Sequence, residues 1–348
     1  MTNSIRSGLL AAAAAIALPL LICGMGRRSP ASASAALAAA AVSPSSSAAP
    51  TAAVSQPAPS QRRVQEIIVH ENQPAAEGFH DESQMVTVSV GGTDQEMTLH
   101  DYLTGVLMGE MPASFSMEAL KAQAVAARTY TLHRLAGGGT LSDDSTVCQA
   151  FIPLENAQEK LGGDWEALLA KLHDAVSETD GLVLTYDGQL ISATYFSGSG
   201  GKTESAQAVW GSEIPYLVSV DSPGEEETSD YESTVTVPME EFLNTLGIDS
   251  PGVSSVSYTT GGGVDTIVIG GSSFTGLELR KLFGLRSTRF SMTVTEDSVL
   301  FDVLGNGHRV GLSQCGAEAM AQSGSTFDEI LCWYYSGVTL EPYAPSVG

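Results

Sequence analysis

Apolar positions along this chain fall into three regimes. From Gly8 to Met25 they run almost unbroken, from Ser29 to Ser60 they shrink to alanine among serine and proline, and from about Met85 they become periodic. The alternating "MVTVSV" before Gly91-Gly92 predicts a strand and a turn. Thr98 with Asp101 then reads as a capping box opening a helix whose stripe is Leu99, Leu103, Val106 and Leu107, stopped by Gly109 and Pro112. Ser116 caps a longer helix, with Leu120, Ala124, Ala127, Thr131 and Leu135 on one face, ending at Gly137-Gly138-Gly139. A third helix runs from Asp164 through Trp165, Leu168, Leu169, Leu172 and Val176 to Gly181.

Next comes "LVLTYDGQLISATYF", a hairpin pattern with Asp187-Gly188 as a two-residue turn. Beyond the Ser/Gly-rich loop at Ser197 to Gly201, strand-like "STVTV", "VSSVSYTT", "VDTIVIG", "RFSMTVT" and "VLFDVLG" alternate with helices near Met239–Leu246 and Gly276–Phe283. Two short helices, capped by Ser313 and by Thr326 with Glu329, close the pattern. Strands and helices intermix without a regular βαβ repeat, which predicts an α+β fold for residues 85–348.

The first two regimes need a different reading. Residues 1–28 have a charged start, the apolar run and then Arg27-Arg28, which suits a membrane anchor or a secretory signal; Ala33-Ser34-Ala35 supplies a small-residue cleavage pattern. Cys23 is a poor lipidation site because Ile22 before it is not small. Residues 29–84 read as a disordered linker, since Ala/Ser/Pro sequence cannot bury a core. The expected location of the folded part is therefore outside the cytoplasm, membrane-anchored or secreted.

Sixteen basic against forty acidic residues give a net charge of −24. That excludes nucleic acid as a partner, because its affinity comes from a basic footprint, and it favours a neutral or lightly charged polymer. The exported part holds Cys148, Cys315 and Cys332, so at most one disulfide forms and disulfides are not the frame of the fold.

Against this background Glu110 stands out: a lone acid between Gly109 and Met111-Pro112, at the joint of two apolar helices. Pro112 disfavours helix at Met111 and so gives the joint a fixed direction. On residues alone an ordinary helix-terminal glutamate is the plainer reading.

Three blocks change that balance: "TLHDYLTGVLMGEMPASFSMEALKAQAVAARTYTL", "YFSGSGGKTESAQAVWGSEIPYLVSVDSP" and "GHRVGLSQCGAEAMAQSGSTFDEILCWYYSGV". Together, over roughly Met85 to Tyr343, the chain resembles the stage II sporulation protein D (SpoIID/LytB) family. The resemblance implies a peptidoglycan-acting domain with a helical segment and β-hairpins around a glycan groove. It also implies a lytic transglycosylase that cleaves glycan strands, preferably peptide-stripped ones, in sporulation and engulfment. The glutamate of its E-M-P segment corresponds to Glu110, as catalytic residue. A single acid suits this chemistry: hydrolysing glycosidases usually need two carboxylates, whereas here a hydroxyl of the substrate is the nucleophile. The implied partners are peptidoglycan glycan strands, an amidase that strips peptides, and membrane proteins of an engulfment complex. Two other readings stay open: a non-catalytic wall-binding module that stimulates an N-acetylmuramoyl-L-alanine amidase, and a structural wall protein.

Several further residues are candidates for substrate binding. Arg128 reads as holding a muramic carboxylate, as orienting a loop near Glu110, or as a surface or helix-capping arginine. "SGSGGKT" is not a phosphate loop, because Phe196 stands where that pattern needs glycine; Ser197, Ser199, Lys202 and Thr203 are instead expected in a groove. Trp210 suits a stacking platform or a core position equally. His308 and Gln314 lie in a Gly-rich loop entering a helix, where His308 is expected as a groove wall or loop hydrogen-bond partner; a His308–Cys315 thiol pair lacks an orienting Asn or Asp. Some relatives carry a His/Cys/Cys zinc cluster near the "CQAF" segment, but Ser142 replaces one cysteine here, so no metal and no cofactor are expected.

Overall fold

The structure, a computed structural model, describes residues 78–228 and 231–345; the expected signal or anchor segment, and the linker up to residue 77, lie outside these residues. Among the described residues no helix is long and apolar enough to cross a membrane. The folded part begins before the alternation at Met85. A 3-10 turn at Asp81–Ser83 precedes it and Asp81 is fully buried, so residues 78–84, expected as part of the linker, belong to the folded region. Charge pairing rather than apolar periodicity fixes this segment, which is why the hydrophobic pattern misses it.

The elements follow in order: β1 (Met85–Val90), β2 (Thr93–Thr98), α1 (Leu99–Glu110), α2 (Met117–Ala136), β3 (Leu141–Ser142), α3 (Ala157–Leu161), α4 (Trp165–Ser177), β4 (Leu182–Tyr186), β5 (Gln189–Leu190), β6 (Tyr195–Phe196) and α5 (Ala206–Trp210). Then come β7 (Glu232–Pro238), α6 (Met239–Leu246), β8 (Val253–Tyr258), β9 (Val264–Ile269), β10 (Ser272–Thr275), α7 (Gly276–Phe283), β11 (Phe290–Val294), β12 (Ser298–Leu304), β13 (Leu312–Ser313), α8 (Gln314–Gln322), α9 (Phe327–Tyr334) and β14 (Thr339–Pro342). The architecture is α+β, with small sheets rather than one continuous one: β2-β1-β3, β10-β9-β8, β11-β12-β7, β13-β6 and β14-β4-β5.

Two hydrophobic cores organise these pieces. The larger packs α1, α2, α4, α8 and α9 against β1 and β4, with Leu103, Leu107, Leu120, Val125, Leu172, Leu184 and Ile330 fully buried. The smaller, between residues 235 and 303, gathers Phe242, Ile269, Leu279, Val299 and Phe301 under the β7-β12-β11 and β8-β9-β10 sheets. Its aromatic centre is Phe242, Phe283, Phe290 and Phe301, with ring centroids 5.3–6.2 Å apart. Arg309 ties the two cores together. Fully buried, it donates to Glu204 (3.3 Å) and to the carbonyls of Ser199, Lys202 and Gly261, while Glu204 also accepts from Thr259 and the Gly263 amide.

Helix ends follow the sequence closely, with instructive departures. The Thr98 hydroxyl caps α1 by accepting the Asp101 amide at 3.0 Å. Ser116 opens α2, but its hydroxyl and amide are taken by the Glu318 carboxylate of α8 (3.1 and 2.6 Å), a tertiary bond in place of a local cap. The Asp187-Gly188 turn forms with both residues at positive φ (50° and 72°). Only two residues on each side pair, however, because β4 finds its main partner in β14 and β6 leaves to pair in parallel with β13. Gly109 does not end α1, which continues through Glu110. Met111 is extended (φ −126°, ψ 147°), as a residue before proline prefers, and it is there that the helix stops.

Candidate active site

Glu110 is the last residue of α1, and what surrounds it comes from three distant parts of the chain. The segment after the 140s loop passes across α1 with its backbone against Gly105 and Gly109. The Ile152 amide donates to the Gly105 carbonyl (3.1 Å), and the Ala150 amide donates to Glu110 Oε1 at 2.7 Å. A Cβ at Gly109 would stand 2.8 Å from the Ala150 carbonyl oxygen, and one at Gly105 would strike the Phe151 ring. These glycines, four apart on one helix face, are required by the close approach of another backbone. That is why Gly109 precedes the acid.

From β6, the Tyr195 hydroxyl reaches both Gln149 Oε1 (2.8 Å) and, more loosely, Glu110 Oε1 (3.5 Å). Gln149 is buried and passes the network on through its amide to Thr131 (2.9 Å) and Tyr102 (3.4 Å). Tyr102 in turn lies 3.8 Å from the Cys148 sulfur. From the start of α8, the buried Gln314 side chain faces Glu110 closely enough to favour its charged form, while its Nε2 has no completed hydrogen bond.

The electrostatics follow from this enclosure. Protein surrounds the Glu110 carboxyl densely, yet the residue as a whole is half-buried and keeps some solvent access. Burial pushes its pKa from the ordinary 4.5 to about 7; the Ala150, Gln314 and Tyr195 donors and the charge of Lys160 oppose the shift without cancelling it. Its hydrogen-bond donors are the Ala150 amide and the Tyr195 phenol rather than a cation. Burial and the neighbouring Glu110 charge raise the Tyr195 phenol well above its usual range, so it stays a neutral hydrogen-bonding group. The Lys160 ammonium is shifted down by desolvation, with Glu110 acting in the opposite sense.

The remaining predicted residues divide. Gln314 belongs to the Glu110 site. His308 and Trp210 come together beside Phe196, with ring centroids 5.5 Å (Trp210) and 5.6 Å (Phe196) from the imidazole. His308 Nδ1 accepts the Val310 amide at 3.1 Å, and desolvation lowers its pKa to about 4, so the ring is neutral and has the expected loop-bonding part. Trp210 is half-buried against it. Ser197 is half-buried, and its carbonyl receives the Cys315 amide. Lys202 lies 3.7 Å from Asp221 with its side chain partly exposed. Thr203 is buried with its hydroxyl bonded to the Val220 backbone. Among the described residues, no disulfide joins Cys148, Cys315 or Cys332.

Two expectations are corrected. Arg128 does not line a groove. It is fully buried, its Nε and Nη2 bind the Asp81 carboxylate at 2.5–2.9 Å, and the rest of the guanidinium serves Thr179, Leu182 and Val176. All its donors are used inside the fold, fastening the chain before β1 to the end of α4. Ser199 is also fully buried; its hydroxyl and amide donate to Glu225 at 2.7 Å. Glu225 accepts further from Gly200, Ser222 and Ser313, so this carboxylate holds the Gly-rich loop from within.

Sequence reasoning missed Tyr195, Gln149, Ala150, Lys160 and Glu225. The "CQAF" segment draws attention through its cysteine, whereas its contribution to the site is the Ala150 backbone amide and the buried Gln149. Glu225 is one acid in the run "GEEET" and carries no local signal.

A family model described as "Stage II sporulation protein" matches residues 92–186, which include Glu110, Gln149 and Ala150. Stage II sporulation protein D of Bacillus subtilis (strain 168) is 39% identical over 257 residues, covering 71% of this chain and 75% of that protein. This chain belongs to the stage II sporulation protein D family. The Bacillus amyloliquefaciens protein of the same name is 37% identical over the same shares. The "Amidase enhancer" of Bacillus subtilis (strain 168) is 30% identical over 69% of this chain, and the match covers 40% of that protein.

Proposed function

We propose that this member of the family is a lytic transglycosylase that cleaves peptidoglycan glycan strands, with Glu110 as its single general acid and base. The observation that carries the reading is the enclosed carboxyl, held by an amide and a phenol, with a pKa of about 7. A glycosidic oxygen is a poor leaving group until it is protonated, so the acid must keep its proton near neutral pH. Glu110 does so because burial outweighs its hydrogen bonds. As the bond between the anomeric carbon and the bridging oxygen breaks, the proton moves to that oxygen. The glutamate so formed is held by the Ala150 amide and Tyr195, and it accepts the proton of a hydroxyl on the same sugar as that oxygen attacks the anomeric carbon. An anhydro ring closes, no water is consumed, and Glu110 regains its proton.

The other buried carboxylates are engaged in the fold, which supports a one-acid mechanism. Among the described residues, buried Asp81, Glu204, Glu225 and Glu318 are each bound to partners in the fold. Glycan peptide-stripped by an amidase, a sporulation setting with an engulfment complex, and action outside the cytoplasm from a secreted or anchored chain complete the proposal. The similarity to an amidase enhancer favours a second reading, in which the chain binds wall and stimulates an amidase without turnover.

One experiment separates the two. The full chain and its Glu110→Gln variant are incubated with peptide-free glycan strands and the products weighed by mass spectrometry. Anhydro-ended fragments from the unaltered chain alone support the enzyme. Glycan binding without products from either supports the amidase-stimulating module.

A further inference from the structure

At the other end of α1 from Glu110, ten residues and about 15 Å along the helix, lies a group of side chains that the proposed reaction does not use. His100 and Asp101 sit in the first turn of α1, and His173 projects from α4 packed beside it. One donor atom from each falls within 4.8 Å of the others. The two imidazoles lie face to face, centroids 5.1 Å apart and 12° from parallel. Glu82, from the 3-10 turn before β1, places Oε1 3.6 Å from His100 Nδ1.

We propose that His100, Asp101 and His173, with Glu82 as a fourth donor, form a binding site for a divalent first-row transition-metal ion such as zinc. Two imidazoles with carboxylates are the donor set such ions take.

An independent observation comes from His100. The residue is only 5% exposed, yet its Nδ1 has no hydrogen-bond partner, a costly state for a buried polar atom. Its other nitrogen, Nε2, lies 3.0 Å from the Ser177 hydroxyl. With Nε2 carrying the hydrogen and donating it to Ser177, the Nδ1 lone pair is left facing the Glu82 carboxylate, the arrangement by which outer partners orient a metal-binding histidine.

Tetrahedral zinc with bonds of about 2.0–2.1 Å needs donors roughly 3.3 Å apart, so the group must contract by roughly 1.5 Å at most. Asp101 and His173 are partly exposed and the Glu82 side chain is largely exposed, which leaves them room to move. A bound ion would staple three segments: the turn before β1, the start of α1 and the body of α4. It would brace the helix that presents Glu110 without touching the acid. The site uses no residue of the cysteine-containing "CQAF" segment, and histidines 73 residues apart give no motif.

The test uses the full chain stripped with a chelator and titrated with Zn²⁺ by calorimetry, then with Co²⁺ for its ligand-field absorption. The expected result is one ion per chain, weakened roughly a hundredfold or more in His173→Gln, and unchanged in Glu110→Gln. His100 is buried and its substitution can unfold the protein, so His173→Gln and Asp101→Asn, both at partly exposed positions, carry the decision, with circular dichroism confirming their fold. No Zn²⁺ uptake by the unaltered chain, or equal uptake by both variants, overturns the proposal.

Discussion

Glu110 Oε1 accepts the amide hydrogen of Ala150 at 2.7 Å across forty residues of sequence, and Gly109 is what lets the two backbones come that close. The same contact that orients the carboxyl also shields it from water. Opposed effects then act on one group: enclosure raises its pKa and the amide lowers it, with enclosure the larger.

Replacing Gly109 by alanine therefore tests the geometry without altering the acid. The new methyl group would stand 2.8 Å from the Ala150 carbonyl oxygen, which is backbone and cannot rotate away, so the 149–152 segment must shift. We expect glycan cleavage to fall by about 10²-fold with the circular-dichroism spectrum retained. Full activity in Gly109→Ala would show that the Ala150 contact does not matter.

The pH profile should follow the protonated acid. With a pKa near 7, cleavage by the unaltered chain is expected to be flat toward pH 6 and to drop tenfold per unit well above 7. Initial rates on peptide-free strands between pH 5.5 and 9, as proposed assay limits, would show the inflection; one near 4.5 would mean the carboxyl is solvated.

Stability has a related signature. Between 4.5 and 7 the folded chain keeps a proton that the unfolded chain releases, so stability falls as pH rises through this window and levels off above it. A shift of this size corresponds to at most about 3 kcal/mol. Glu110→Gln removes the penalty, so its denaturant midpoint should exceed that of the unaltered chain at pH 8 and match it near pH 4.5. Equal midpoints at both pH values would count against the raised pKa.

Arg128 offers a contrast between fold and function. Arg128→Ala leaves the Asp81 carboxylate buried and unpaired, with an expected loss of about 3–5 kcal/mol in urea unfolding. Replacing both residues by apolar ones should restore much of that. Glycan affinity of the folded double variant, measured by co-sedimentation, should be unchanged; a specific loss would return Arg128 to the groove.

Tyr195→Phe removes a hydroxyl shared between Glu110 and Gln149. Because that hydroxyl lowers the Glu110 pKa, the alkaline limb of the rate profile should move to slightly higher pH. The buried Gln149 loses a partner as well, at a cost of about 1–3 kcal/mol. An unmoved limb with unaltered stability would place Tyr195 outside the network.

What the chain determined by itself is local. Thr98, Pro112, Asp187-Gly188 and the Thr326/Glu329 box each fix a helix end or turn through bonds among near neighbours, and apolar periodicity placed α1, α2, α4, α6 and α7. Glu110 was legible as an acid in an apolar joint. Only the tertiary structure decided what that acid meets, because its partners Ala150, Tyr195 and Gln314 are 40 to 204 positions away. Arg128 shows the same limit from the other side: a cation on a helix face reads alike whether it awaits a ligand or closes on a buried Asp81. Burial and pairing belong to the folded assembly, and they set both the proton affinity of Glu110 and the occupation of Arg128.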